Sequence, residues 1–169
     1  MPERAAPGWT RWLLVSVAVV ALDLASKAWI THAFAPGEAR EITSFFSLVL
    51  VYNTGAAFSF LADAGGWQRW FFTLLTIAIS VVLVVALRRA HASRLVPLAL
   101  ALVLGGALGN LWDRLALGQV IDFLLVHWGP HTFPAFNVAD SAISVGVALL
   151  IWESVLPHRR AAPAPQEKP

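Results

Sequence analysis

The chain has 169 residues, 58% of them hydrophobic and 13% charged, with a mean hydropathy of +0.69. That excludes an ordinary water-soluble domain, in which about a quarter of residues are charged; the lack of cysteine excludes a disulfide framework, a thiol nucleophile and a zinc–thiolate site. The pI near 9.7 does not indicate nucleic acid, because the net charge is only +2 and the basic residues flank apolar runs, where lipid headgroups are their natural partners.

A spanning helix needs roughly 20 apolar residues. Residues 12–34 form the first predicted span. Asp23 and Lys27 lie within it at i,i+4 and share a helix face. They read as an internal ion pair with a structural role, substrate or lipid-headgroup contact being the other reading. The run is not read as a cleaved signal peptide, because Asp23 and Lys27 stand between its apolar stretch and the small-residue pattern Ala33-Phe34-Ala35.

Residues 42–62 carry no charge, and hydropathy alone would make them a helix. Phe45, Phe46, Val49, Val51, Tyr52 and Phe58 favour strands, however, and Asn53-Thr54-Gly55 favours a turn. Further spans are predicted at 67–87, at 95–112 with Pro97 tolerated in the first turn, and at 136–156. Trp9, Trp12, Trp67, Trp70, Trp112 and Trp152 fall near the predicted ends, as an interfacial belt requires. Residues 161–169, rich in Pro, Ala and charge, are predicted to be a disordered tail behind a single domain of residues 1–160.

Orientation follows from the basic residues. With four spans and both termini cytoplasmic, Arg4, Arg11, Arg88, Arg89, Arg94, Arg159, Arg160 and Lys168 are inside, and only Arg40, Arg69 and Arg114 are outside. Five spans give a weaker asymmetry. The fold class is therefore an all-α polytopic membrane protein of four transmembrane helices, with 42–62 as a small β-structure on the outer surface.

Asp122, in Val120-Ile121-Asp122-Phe123, lies in a short apolar stretch returning toward the membrane, and Asp140 lies in the first turn of the fourth span. Both fall at the same membrane face. Two carboxylates held close do not both ionise easily, so one keeps a proton while the other acts as base. The competing reading makes Asp140 a helix N-terminal charge and Asp122 a loop acid. Gly105 and Gly109 form a GxxxG, a helix-packing signal. Asp113 and Arg114 read as a local anchor, and Asn53 and Asn137 as turn and cap residues. His127 and His131 are four apart, but Gly129-Pro130 breaks any helix between them and no third ligand has an evident spacing, so no metal site is predicted.

Asp23-Leu24-Ala25-Ser26-Lys27, Asn53-Thr54-Gly55-Ala56-Ala57-Phe58, Gly105-Gly106-Ala107-Leu108-Gly109-Asn110-Leu111-Trp112-Asp113-Arg114, Val120-Ile121-Asp122-Phe123 and Phe136-Asn137-Val138-Ala139-Asp140 follow one another in an order that resembles the lipoprotein signal peptidases (signal peptidase II). The resemblance covers roughly residues 12–156. It implies a bacterial inner-membrane aspartic peptidase with a periplasmic β-cradle and active site, and Asp122 and Asp140 as its catalytic dyad. The implied substrates are prolipoproteins carrying a diacylglyceryl-modified cysteine, cleaved on the amino side of that residue. It further implies no metal or organic cofactor, inhibition by globomycin, and contact with membrane lipid. Asn53, Gly55, Asn110, Arg114 and Asn137 are expected to bind substrate or support the dyad, and the protein is taken as a monomer. The alternative is a small four-helix proton-coupled transporter, since membrane acids often relay protons. Neither half of the chain repeats the other, which weighs against it.

Overall fold

The computed structural model describes residues 6–55, 65–90 and 94–155. Among these are four helices long and apolar enough to cross a membrane: α1 (Leu13–Ala33), α2 (Trp67–Arg89), α3 (Leu95–Ala116) and α4 (Val138–Val155). A 3-10 turn, Trp9–Trp12, leads into α1. The helices coincide with the predicted spans apart from their ends. α3 runs past Trp112 by one further turn, and α4 begins at Val138 because Asn137 caps it. Leu156 and the tail 161–169 lie outside the described residues.

α3 is the central helix. Over half of its apolar window, 56%, is buried inside the protein, against 11–28% for the other three. Its small residues explain this. A Cβ on Gly105 would sit 2.7 Å from the Val19 Cβ of α1, one on Gly109 would sit 2.6 Å from Asp23 Oδ2, and one on Gly106 would collide with the Ala139 carbonyl of α4. The GxxxG stripe thus brings two neighbouring helices into backbone contact, as van der Waals packing in lipid requires. Ser16 Oγ donates to the Ala101 carbonyl at 2.8 Å, and Lys27 meets Asp113, so α1 runs parallel to α3. α2 runs antiparallel to it: Arg69 donates to the Leu115 carbonyl at one end, and Leu83 and Leu87 pack on Leu100 and Leu104 at the other.

Where α1 and α3 end and α2 and α4 begin, four strands form one antiparallel sheet in the order β1 (Ala39–Thr43), β2 (Phe46–Asn53), β3 (Val120–Trp128), β4 (His131–Thr132). Ile30 of α1 and Phe34, just past its end, pack under it against Leu50, Ile121 and Phe123. The sheet differs from the sequence expectation in two ways. It starts at Ala39, its charged first strand being a solvated edge, whereas the predicted segment opened at Ile42; residues 56–62 of that prediction lie outside the described residues. Residues 120–128 are also a strand, so the apolar stretch after the third span is part of the sheet. β3 pairs with β2 between Val120 and Val126, so Asp122 belongs to the sheet itself.

Candidate active site

The register of the sheet fixes the first carboxylate. Val51 opposes Asp122, and Asn53, opposite Val120, is its diagonal neighbour on the same face. Asn53 Nδ2 accordingly donates to Asp122 Oδ2 at 3.1 Å, while its Oδ1 accepts the Gly55 N–H at 2.9 Å in an Asx-type turn. The β2–β3 pairing slips between Leu48 and Val51, a bulge that lets Val49 and Leu50 both be buried before the site is reached.

The second carboxylate is carried in by α4. Phe136 is bound to β3 from both sides: its carbonyl accepts the Phe123 and Leu124 N–H groups at 3.0 and 2.8 Å, and its N–H donates to the Leu124 carbonyl at 3.0 Å. The next residue, Asn137, starts the helix beside Asp122. Asn137 Oδ1 accepts the Asp140 N–H at 2.9 Å, and Asp140 Oδ2 accepts the Asn137 N–H at 3.2 Å. This reciprocal pair is a capping box, and it places Asp140 in the first turn.

Asn137 has no solvent exposure, and its Nδ2 lies 2.8 Å from Asp122 Oδ1, 3.1 Å from Asn110 Oδ1 and 3.1 Å from the Ile121 carbonyl. Asn110, from α3, donates through Nδ2 to Asp140 Oδ1 at 2.7 Å. Each carboxylate is thus gripped by asparagine N–H groups, and one asparagine serves both. Arg114 bridges back to the sheet, donating to the Asn110 and Gly55 carbonyls at 3.3 and 3.2 Å, with its guanidinium over the Phe72 ring. Asn53, Asn110, Arg114, Asp122 and Asp140 line one cavity of about 660 Å³, which continues along α4 past Ser141 and Ser144.

Burial, and then the charge of Asp140, push the Asp122 carboxyl up to about 7. A buried acid that retains its proton near neutrality, beside a second carboxylate facing the same cavity, is equipped for paired general acid–base chemistry on a polar bond.

Behind this pair, Lys27 is almost fully buried and meets Asp23 Oδ2 at 2.7 Å, Asp113 Oδ2 at 2.8 Å and Asn110 Oδ1 at 3.2 Å. The i,i+4 ion pair expected from the sequence is therefore present, with a third charged partner. Asp113 does not pair with its neighbour Arg114. Consecutive helix residues point about 100° apart, so Asp113 faces α1 while Arg114 faces the cavity. Asp113 is the residue that sequence reasoning missed. The signal was there: Gly105, Gly109 and Asp113 recur every fourth position, so the packing stripe that faces α1 ends on this acid.

All the predicted site residues (Asp122, Asp140, Asn53, Gly55, Asn110, Arg114 and Asn137, with Asp23 and Lys27 behind them) come together at this one end of the bundle. His127 does not join them. Its Nε2 lies 2.9 Å from Ser47 Oγ across the β2–β3 pair, and no group of three potential metal-ligating side chains occurs among the described residues.

A family model described as signal peptidase (SPase) II matches residues 15–156. The chain is 56% identical over 144 residues to a lipoprotein signal peptidase of Burkholderia ambifaria, covering 85% of this chain and 87% of that protein. It is 52% identical over 141 residues to a lipoprotein signal peptidase of Cellvibrio japonicus, covering 83% of each. Among solved structures, a bacterial membrane enzyme determined by the in meso method at 2.3 Å superposes with a TM-score of 0.79 at 28% identity, covering 96% of this chain and 99% of that one.

Proposed function

The chain belongs to the signal peptidase II family, and on that premise we propose that Asp122 and Asp140 are the catalytic dyad of a membrane aspartic endopeptidase. Its substrates are diacylglyceryl-modified bacterial prolipoproteins, cut on the amino side of the lipidated cysteine. The observation that carries the aspartic mechanism is the shared grip of Asn137 on both carboxylates at the mouth of one cavity.

Asp122, whose carboxyl is held up to about 7, is the member that carries the proton in the resting enzyme. Asp140 is then the base. It takes a proton from water as the water oxygen attacks the scissile carbonyl carbon, while Asp122 gives its proton to the carbonyl oxygen. Collapse of the tetrahedral intermediate breaks the C–N bond: Asp140 gives its proton to the leaving amine, and Asp122 takes one back from a hydroxyl of the intermediate, which restores the resting state. The dyad titrates as a unit, so one proton is exchanged between the two carboxyls through the cycle. Arg114 and the asparagines hold the geometry, and the cavity along α4 receives the signal segment, which converts a bimolecular encounter into a pre-oriented one.

We place the dyad at the periplasmic face of the inner membrane, with both termini cytoplasmic. Arg88 and Arg89 in the last turn of α2, and Arg94 at the start of α3, lie at the opposite end from the site, where Ala6 donates to the Arg88 carbonyl at 2.7 Å. The transporter alternative finds no support among the relatives.

The deciding experiment is cleavage of a diacylglyceryl-modified prolipoprotein by the purified protein in detergent, comparing wild type with Asp122→Asn and Asp140→Asn. Wild type should cleave before the lipidated cysteine, and both folded variants should be inert. Near-normal turnover by either variant removes that aspartate from the mechanism.

A further inference from the structure

Three ionisable side chains, Asp23, Lys27 and Asp113, lie almost completely buried together, and the reaction as written above uses none of them. A buried ion-pair cluster is a poor stabiliser, because desolvation offsets most of the Coulombic gain and apolar residues of similar volume often do as well. Stability alone therefore gives little reason for its presence.

Where its hydrogen bonds go is informative. An ammonium has three N–H donors and no acceptor, and Lys27 directs them to three acceptors: Asp23 Oδ2, Asp113 Oδ2 and Asn110 Oδ1. Each of the three passes the constraint on toward the dyad. The other oxygen of Asp23 accepts the N–H of Ala139, the residue before Asp140, at 2.9 Å. Asp113 Oδ2 accepts the N–H of Ile121, the residue before Asp122, at 3.1 Å. Asn110 turns its amide nitrogen to Asp140 itself. The amide end of Asn110 that faces Lys27 must be the oxygen, because a flipped amide would set its NH2 against the ammonium and its oxygen against the Asp140 carboxylate. A donor-only cation thus dictates which way the asparagine points.

We propose that Lys27, with Asp23 and Asp113, is a positioning clamp for the dyad: one buried ammonium fixes the backbone before each aspartate and the orientation of the amide that holds Asp140. The proposal rests on the dyad reading given above. It assigns these residues to the chemical step, acting through the aspartates without touching substrate.

The test compares kcat and KM for the purified enzyme on a diacylglyceryl-modified prolipoprotein. Asp23→Asn/Lys27→Met/Asp113→Asn removes all three charges while keeping near-native volumes. Misplacement of a catalytic group by about 1 Å costs on the order of 100-fold, so kcat should fall about 100-fold with KM within about twofold. A folded triple variant with kcat within about threefold of wild type overturns the proposal and leaves the cluster a packing feature. If the triple variant does not accumulate, Asp113→Asn decides alone, since it keeps the Asp23–Lys27 pair. A fall in kcat of about tenfold at unchanged KM supports the clamp, and kcat within about twofold of wild type overturns it. Asp140→Asn is run beside them. If that variant is active, the dyad reading itself fails; if it is inert while the cluster variants turn over normally, only the clamp fails.

Discussion

Replacing Asp122 by asparagine should change how stability depends on pH, independently of what it does to turnover. Burial, followed by the charge of Asp140, raises the Asp122 carboxyl from 3.8 to about 7. The folded state then binds this proton more tightly than the unfolded chain does. The stabilisation is fully present below about pH 4 and is lost as pH rises through about 7. A shift of about three pK units at about 1.4 kcal/mol each makes the loss about 4 kcal/mol. Asparagine does not titrate, so the stability of Asp122→Asn relative to wild type should improve by about that amount between pH 4 and pH 8. The amide also has a constant cost, because its NH2 would face one of the two donors, Asn53 or Asn137, that now meet separate carboxylate oxygens. That cost shifts the whole curve without changing its slope. Unfolding of both proteins in the same detergent, followed by tryptophan fluorescence across that pH range, reads the difference directly. A gap that stays constant, or that moves in favour of wild type as pH rises, refutes the electrostatic account of Asp122.

Asn137→Ala removes the cap of α4 together with the side-chain donor to Asp122, while the backbone N–H to Asp140 remains. The cap alone is worth about 1 kcal/mol, so a lower melting temperature should accompany a fall in kcat of about tenfold or more in the cleavage assay. In Gly106→Ala the new methyl would meet the Ala139 carbonyl and come 2.7 Å from Ile143 Cγ1, forcing α4 away from α3. Overpacking of this kind costs about 1–3 kcal/mol and should lower both thermal stability and turnover. Ser47→Ala loses only the contact with His127. It should cost less than about 1.5 kcal/mol and leave cleavage at the wild-type rate; a marked loss of activity would give His127 a role in the site.

The helices were legible because lipid permits only long apolar segments with satisfied backbones. Their ends were less so: α4 starts where Asn137 caps it, a local hydrogen bond and not a hydropathy boundary. Phe46–Asn53 declared itself through β-formers and the following Asn-Thr-Gly turn. β3 did not, because Val120, Ile121, Asp122 and Phe123 are all buried and show no alternation of exposed and buried positions. The first half of that strand is covered on both faces, so its period is hidden and only its partner β2 reveals it. Asp122 and Asp140 could be singled out as ionisable groups at a membrane face, yet their common support through Asn137 and Asn110 depends on contacts between α3, α4 and the sheet that no spacing in the sequence encodes. Asp23 and Lys27 were visible as a pair on one helix turn. Their third partner lies on another helix, and the adjacent arginine drew Asp113 into a pairing that helix geometry forbids.

The capping of Ala139 by Asp23 also has a consequence for the order of events in biosynthesis. Translation delivers Asp23 and Lys27 in the first helix and Asp113 in the third, while the Ala139 N–H and Asp140 arrive only with the fourth. Until then Asn110 lacks the carboxylate it donates to, and the Asp23 oxygen that binds Ala139 lacks that partner. On the dyad reading proposed above, a nascent chain in the membrane therefore holds half a reaction centre and cannot cut its neighbours. That reading makes docking of the last helix the step that confers proteolytic competence, so assembly of the bundle and activation of the enzyme would be one event.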